Sequence, residues 1–136
     1  MRVFIQTICF LSFAISGIAL ADKNSEVRLR VVDDKGGKIA INAVAIPNQG
    51  MVINHEGPWK LVFHDVSGVA IPQMKYERKD FDESISGFKV AANWPDAATQ
   101  SGSIGYDFTV FVCTKAKDKC FRDVHNGVLG VKRRGP

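Results

Sequence analysis

Ile104-Gly105-Tyr106-Asp107-Phe108-Thr109-Val110-Phe111-Val112-Cys113 is the stretch whose reading decides the fold. Side chains of a strand point alternately to opposite faces, so Tyr106, Phe108, Val110 and Val112 share one face. The same alternation recurs upstream. Val27, Leu29 and Val31 lie on one face of Glu26 to Val32, with Arg28 and Arg30 on the other. Asp33-Asp34-Lys35-Gly36-Gly37 is a turn by composition, because glycine reaches positive φ without steric penalty. Lys38 to Ile46 resumes as a strand rich in Ile and Val, and Pro47-Asn48-Gln49-Gly50 ends it. Met51-Val52-Ile53 is a short apolar piece, Trp59, Leu61 and Phe63 share a face, and Val69 to Ile71 is closed by Pro72.

Residues 73–84 are the most polar stretch and lack a 3.6-residue period, leaving room for no more than a helical turn. Ile85 to Ala92 reads as a strand with Phe88 and Val90 inward, Trp94 to Ser103 as a long loop, and Cys120 to Val131 as the return strand after Cys113. Seven or eight short strands without an amphipathic helix predict an all-β, immunoglobulin-like antiparallel β-sandwich. Its inter-sheet core is expected to hold Trp59, Phe63, Phe88, Tyr106 and Phe108. A chain of 136 residues is short enough for one domain, and 24% charged residues is the proportion of a folded protein.

Residues 1–21 read as a secretory signal peptide. Met1-Arg2 supplies a positive start, Val3 to Ile18 is uncharged and apolar, and Ala19-Leu20-Ala21 presents small residues at the positions a signal peptidase reads. The apolar run falls short of the roughly 20 residues a spanning helix needs, so no membrane span is expected after cleavage. The expected product is a single β-sandwich domain, residues 22–136, periplasmic or secreted. Of three cysteines Cys9 leaves with the signal, and Cys113 and Cys120 remain. Two cysteines in an oxidising compartment read as one disulfide.

The net charge of +4 is scattered apart from Lys132-Arg133-Arg134, whereas a nucleic-acid surface needs a dense basic face with interleaved aromatics. No nucleic-acid partner is therefore expected. His55-Glu56 and His64 lack zinc-protease spacing, since Trp59 stands where the second histidine belongs. Gly102-Ser103-Ile104-Gly105 precedes a strand, where a nucleotide fingerprint precedes a helix. No Gly-x-Ser-x-Gly elbow occurs, and spacing assembles no Ser–His–Asp set. No metal or cofactor is implied.

Cys113-Thr114-Lys115-Ala116-Lys117-Asp118-Lys119-Cys120 is the one constellation that carries chemistry. Both cysteines sit at strand ends flanking a turn, placed to face each other across a hairpin. Cross-strand Cβ atoms lie about 4.5–5.5 Å apart, slightly beyond the 3.5–4.5 Å of a relaxed disulfide, so such a bridge carries strain and is easier to reduce. Lys115, Lys117, Lys119 and Arg122 surround the pair, offset by Asp118 and Asp123, and cationic neighbours favour thiolate, which promotes exchange. Closing so short a loop contributes only about 2–3 kcal/mol. The alternative is a structural staple on an exported domain.

The run from Tyr106 to Cys113, followed by a polar turn and Cys120-Phe121, resembles the N-terminal periplasmic domain of the bacterial thiol:disulfide interchange protein DsbD. Ile46-Pro47-Asn48-Gln49-Gly50-Met51-Val52-Ile53-Asn54 is similar to that family's early Pro-Gly turn and short strand. Lys79-Asp80-Phe81-Asp82-Glu83 is similar to the acidic-Phe cap loop that shields its cysteine pair. The resemblance implies an immunoglobulin-like sandwich whose cysteine pair takes electrons from a membrane reductant and passes them to periplasmic proteins. Cys113 and Cys120 would then be the exchanging pair, Phe81 the cap aromatic and Asp80 a proton-handling acid. Met51 stands where the family has an aromatic, and no proline follows Cys120-Phe121. With no transmembrane or thioredoxin-like module in the sequence, a free-standing copy would need a separate reductant, or would be a binding domain that kept the staple.

Overall fold

Residues 23–134 are described by the structure, a computed structural model. The expected signal peptide and its cleavage point after Ala21 lie outside the described residues. Eight strands follow in order: β1 (Ser25–Lys35), β2 (Lys38–Pro47), β3 (Met51–Ile53), β4 (Lys60–Ser67), β5 (Lys75–Glu77), β6 (Gly87–Asn93), β7 (Ser101–Thr114) and β8 (Cys120–Lys132). They form two antiparallel sheets, so the chain is an all-β sandwich. The smaller sheet is ordered β1-β2-β6. In the larger, β7 is the centre. β8 covers one edge of β7 from Ser101 to Cys113, while β4 and then β3 share the other, and β5 flanks β4.

The alternation read from the sequence becomes the register of the core. Val27 lies opposite Ala45, Leu29 opposite Ala43 and Val31 opposite Ile41, and Ala43 and Ile41 in turn face Phe88 and Val90. One face of the small sheet is thereby apolar throughout. The large sheet answers with Leu61, Phe63, Phe108, Val110 and Val112, all buried. Each such side chain withdrawn from water contributes about 1.5–3 kcal/mol. Trp59, Phe88 and Phe108 meet at ring-centroid distances of 5.6 to 6.2 Å between neighbours and tie the two layers together.

Four details depart from the sequence reading. Val69–Ile71 is not a strand: Gly68, at φ 74°, and Pro72 leave too few residues for a ladder, and only Ala70 bridges to Asn93. The polar stretch contains β5, because Tyr76 buries its ring while Lys75 and Glu77 pair outward at 2.9 Å. The loop expected to run to Ser103 ends at Ser101, since Gly102 and Ser103 already pair with β8. Tyr106 is half-buried and lies across Gly127, whereas Trp94, read as a loop residue, is buried and donates to Asp34 at 2.9 Å.

Candidate functional site

Cys113 and Cys120 are directly opposite each other in the β7–β8 ladder and are joined by a disulfide, with Cα atoms 4.0 Å apart. The turn between them is built by Thr114. Its N–H donates to the Lys119 carbonyl at 2.8 Å, its carbonyl accepts from Lys117 N–H at 2.8 Å, and its hydroxyl reaches the Asp118 carboxylate. Lys117 adopts φ 58° at the tip, a left-handed conformation that glycine or asparagine usually fills. Lys115 N–H, donating to the Gly50 carbonyl at 3.2 Å, ties the turn to the start of β3.

Parity then places the disulfide. Val112, Val110 and Phe108 point into the core, so Cys113, one residue on, points away from it. The bridge therefore sits on the outer face of the large sheet. There Val52 of β3 lies beside Cys113, which lies beside Cys120. Cys113 is 5% exposed, while Cys120 at the sheet edge is open to solvent. The two sulfurs are chemically unequal as a result.

The bridge forms one wall of a surface groove of about 510 Å³, with Val52, Ile53, Asn54, His55, Glu56 and Lys117 forming the rest. The segment after β3 is held there by two contacts. Asn54 N–H donates to the Phe111 carbonyl at 2.9 Å, and Gly57 lies against the Phe111 ring so closely that a Cβ would come within 2.4 Å of it. Trp59 closes the loop by donating its indole N–H to the Asn54 carbonyl at 2.7 Å. An imidazole, a carboxylate and an ammonium thus share the groove with a disulfide.

Neither Phe81 nor Asp80 lines the groove. Phe81 stacks on Trp59 at 4.4 Å, packs edge-on to Phe88 and meets His55 at 5.8 Å, so it adjoins the groove through His55 and does not line it. Asp80 ends the 3₁₀ turn Arg78–Asp80 and accepts from Glu77 N–H at 3.0 Å and Gln73 Nε2 at 3.3 Å. Its carboxylate is occupied in closing that turn, and it too lies outside the lining of the groove. In the sequence Asn54 closes the stretch that starts at Ile46 and Glu56 stands beside His55, and neither is linked there to the cysteines. They reach the disulfide only because β3 pairs with the far end of β7.

Two further polar clusters surface in the fold. Ser25, Asp123 and His125 meet, although spacing did not bring them together. Ser25 Oγ donates to Asp123 Oδ2 at 2.5 Å and lies 2.9 Å from His125 Nε2. With its one proton committed to the carboxylate, the hydroxyl accepts from the imidazole, the reverse of what an activated nucleophile requires. Burial, followed by the Lys23 charge, lowers the His125 pKa and favours the neutral ring. The second cluster is His64, whose Nδ1 lies 2.7 Å from Asp65 and Nε2 3.4 Å from Asp107. The hydrogen bond to Asp65, helped by Asp107, raises its pKa.

Comparison of the chain with protein-family models, with curated proteins and with solved structures finds no match in any of the three.

Proposed function

We propose that this chain is an exported thiol–disulfide exchange domain, acting in the periplasm or outside the cell, that passes electrons through Cys113 and Cys120. The observation that carries the reading is the inequality of the two sulfurs at the rim of a groove: Cys120 open to solvent, Cys113 covered. A thiolate of a periplasmic thiol protein, or of a membrane reductant, attacks Cys120 Sγ and forms a mixed disulfide. Cys113 leaves as thiolate, and a second thiol of the partner resolves the mixed species. Lys117 and Arg122 lower the energy of the anions formed on the way. The resemblance of the Tyr106–Phe121 hairpin to the DsbD periplasmic domain supports the same chemistry.

A purely structural staple is the competing reading, and the burial of Cys113 between β3 and β8 favours it. The two part company in the single-cysteine variants. With Cys113→Ser, the remaining Cys120 is expected to react with an aromatic disulfide reagent about tenfold or more faster than Cys113 does in Cys120→Ser, following exposure and cationic neighbours. Equal rates, or a faster Cys113, contradict the exchange reading.

A further inference from the structure

Among the described residues, the last strand presents an edge with which no other strand pairs, beginning at the exposed cysteine. Sheet edges are templates for pairing with another chain, and proteins blunt them with bulges, short strands, prolines or covering segments. The other edges here carry such devices. β1 is broken by a bulge between Val31 and Asp33, β3 and β5 are three residues each, and β6 is bridged at both ends by Ala70 and Asp82. β8 pairs with β7 without interruption from Cys120 to Lys132 and contains no proline.

The hydrogen-bond parity of β8 follows from its turn. Thr114 N–H bonds the Lys119 carbonyl, so Cys113–Cys120 is a non-hydrogen-bonded pair. The backbone N–H and C=O groups of Cys120, Arg122, Val124, Asn126 and Val128 accordingly point away from β7. The contact of Lys23 Nζ with the Val124 carbonyl at 2.6 Å fits that parity and occupies one of these acceptors. Val128, on the same face as Cys120, is 71% exposed and offers apolar contact beside the open edge.

We propose that β8 takes an extended cysteine-bearing segment of a partner protein as an added strand, and that this addition delivers the attacking thiol to Cys120. The proposal rests on the exchange reading above and names its substrate class. Val52, Cys113 and Cys120 already lie side by side across three strands. An added strand extends that row by one position and sets its side chain about 4.5–5.5 Å from Cys120, Cβ to Cβ. The incoming sulfur, Cys120 Sγ and Cys113 Sγ then fall in line, the approach that displacement at sulfur requires. The new bond joins the partner sulfur to Cys120, the Cys113–Cys120 bond breaks, and its electron pair stays on Cys113. A second thiol attacks the partner sulfur and frees Cys120. The two partner sulfurs end oxidised as a disulfide, while Cys113 and Cys120 hold the two electrons and the protons from the two thiols. Main-chain bonds supply the affinity in such strand addition, so the segment's sequence matters less than its ability to extend.

The test uses the oxidised chain and an eleven-residue Val/Thr peptide with one central cysteine, in excess, long enough to pair from Cys120 past Val124, beside a twin methylated on alternate backbone nitrogens. Loss of the disulfide is followed by acid quench and mass spectrometry. The unmethylated peptide is expected to react about tenfold or more faster than its twin. Val124→Pro, which removes an outward N–H and no ladder bond, is expected to abolish that difference while leaving the rate with glutathione unchanged. Equal rates for the two peptides in the native chain overturn the strand-addition proposal and leave the exchange reading standing. Failure of both peptides and of glutathione to reduce the pair overturns the exchange reading itself. A chain that is dimeric and becomes monomeric in Val124→Pro assigns the edge to a second copy and also overturns the proposal.

Discussion

His64 lies between two carboxylates, Asp65 on its own strand and Asp107 on β7, and the consequence is a sign that experiment can read. The folded state holds the imidazole proton more tightly than the unfolded chain, whose histidine titrates near 6.5. Stability from this contact is therefore complete below 6.5 and is lost as pH rises through the raised folded value. Compared with His64→Asn, the native chain is expected to show its larger melting-temperature advantage at about pH 6 and the smaller at about pH 9. A difference that is flat with pH, or grows with it, contradicts the assignment. Because His64 is solvent-accessible, salt screening reduces the size of the effect without changing its direction. At the same scale Gly57 matters for the site: its missing side chain lets the chain close against the Phe111 ring just after Asn54–Glu56, which line the groove.

The β7–β8 hairpin carries two roles that the alternation of a strand keeps apart. Ile104, Phe108, Val110 and Val112 of β7 build the core, and Cys113 emerges on the opposite face with Cys120 beside it. The disulfide therefore closes the hairpin without filling the core. Replacing both cysteines, Cys113→Ser with Cys120→Ser, is expected to leave the sandwich folded and to cost about 2–3 kcal/mol, the loop-closure contribution of so short a ring. Thermal melting with circular dichroism checks this, and a double variant unable to fold contradicts it. The hairpin was also the most legible element. A period of two from Ile104 to Val112 and a cysteine on each side of the turn placed Ile104–Cys113, the return strand and the facing of the two cysteines in the sequence alone. β5 was not legible, because a single inward Tyr76 among charged neighbours carries no periodicity until β4 supplies a partner strand.

In the whole molecule, two apolar sheet faces meet, and the remaining surface is left to function. The sandwich was readable because half-buried antiparallel strands write their inner face into every second residue, as Val27, Leu29 and Val31 do opposite Ala45, Ala43 and Ile41. The groove was not readable. Val52 and Asn54–Glu56 precede Cys113 by more than fifty positions, and only the pairing of β3 with the end of β7 brings them to the disulfide. Long-range packing sets Phe81 on Trp59 and beside His55 of the groove, while Asp80 closes a local turn with Glu77 and Gln73. What remains is an exposed sulfur, a covered sulfur and cationic neighbours on a fold whose core cluster does not include their bond. The most direct test of exchange is the reduction potential of the Cys113–Cys120 pair in the oxidised chain, equilibrated against a glutathione or dithiothreitol buffer. The account predicts a value less negative than about −300 mV, within reach of biological dithiols, and a value below about −300 mV contradicts it by marking the bond as a structural staple.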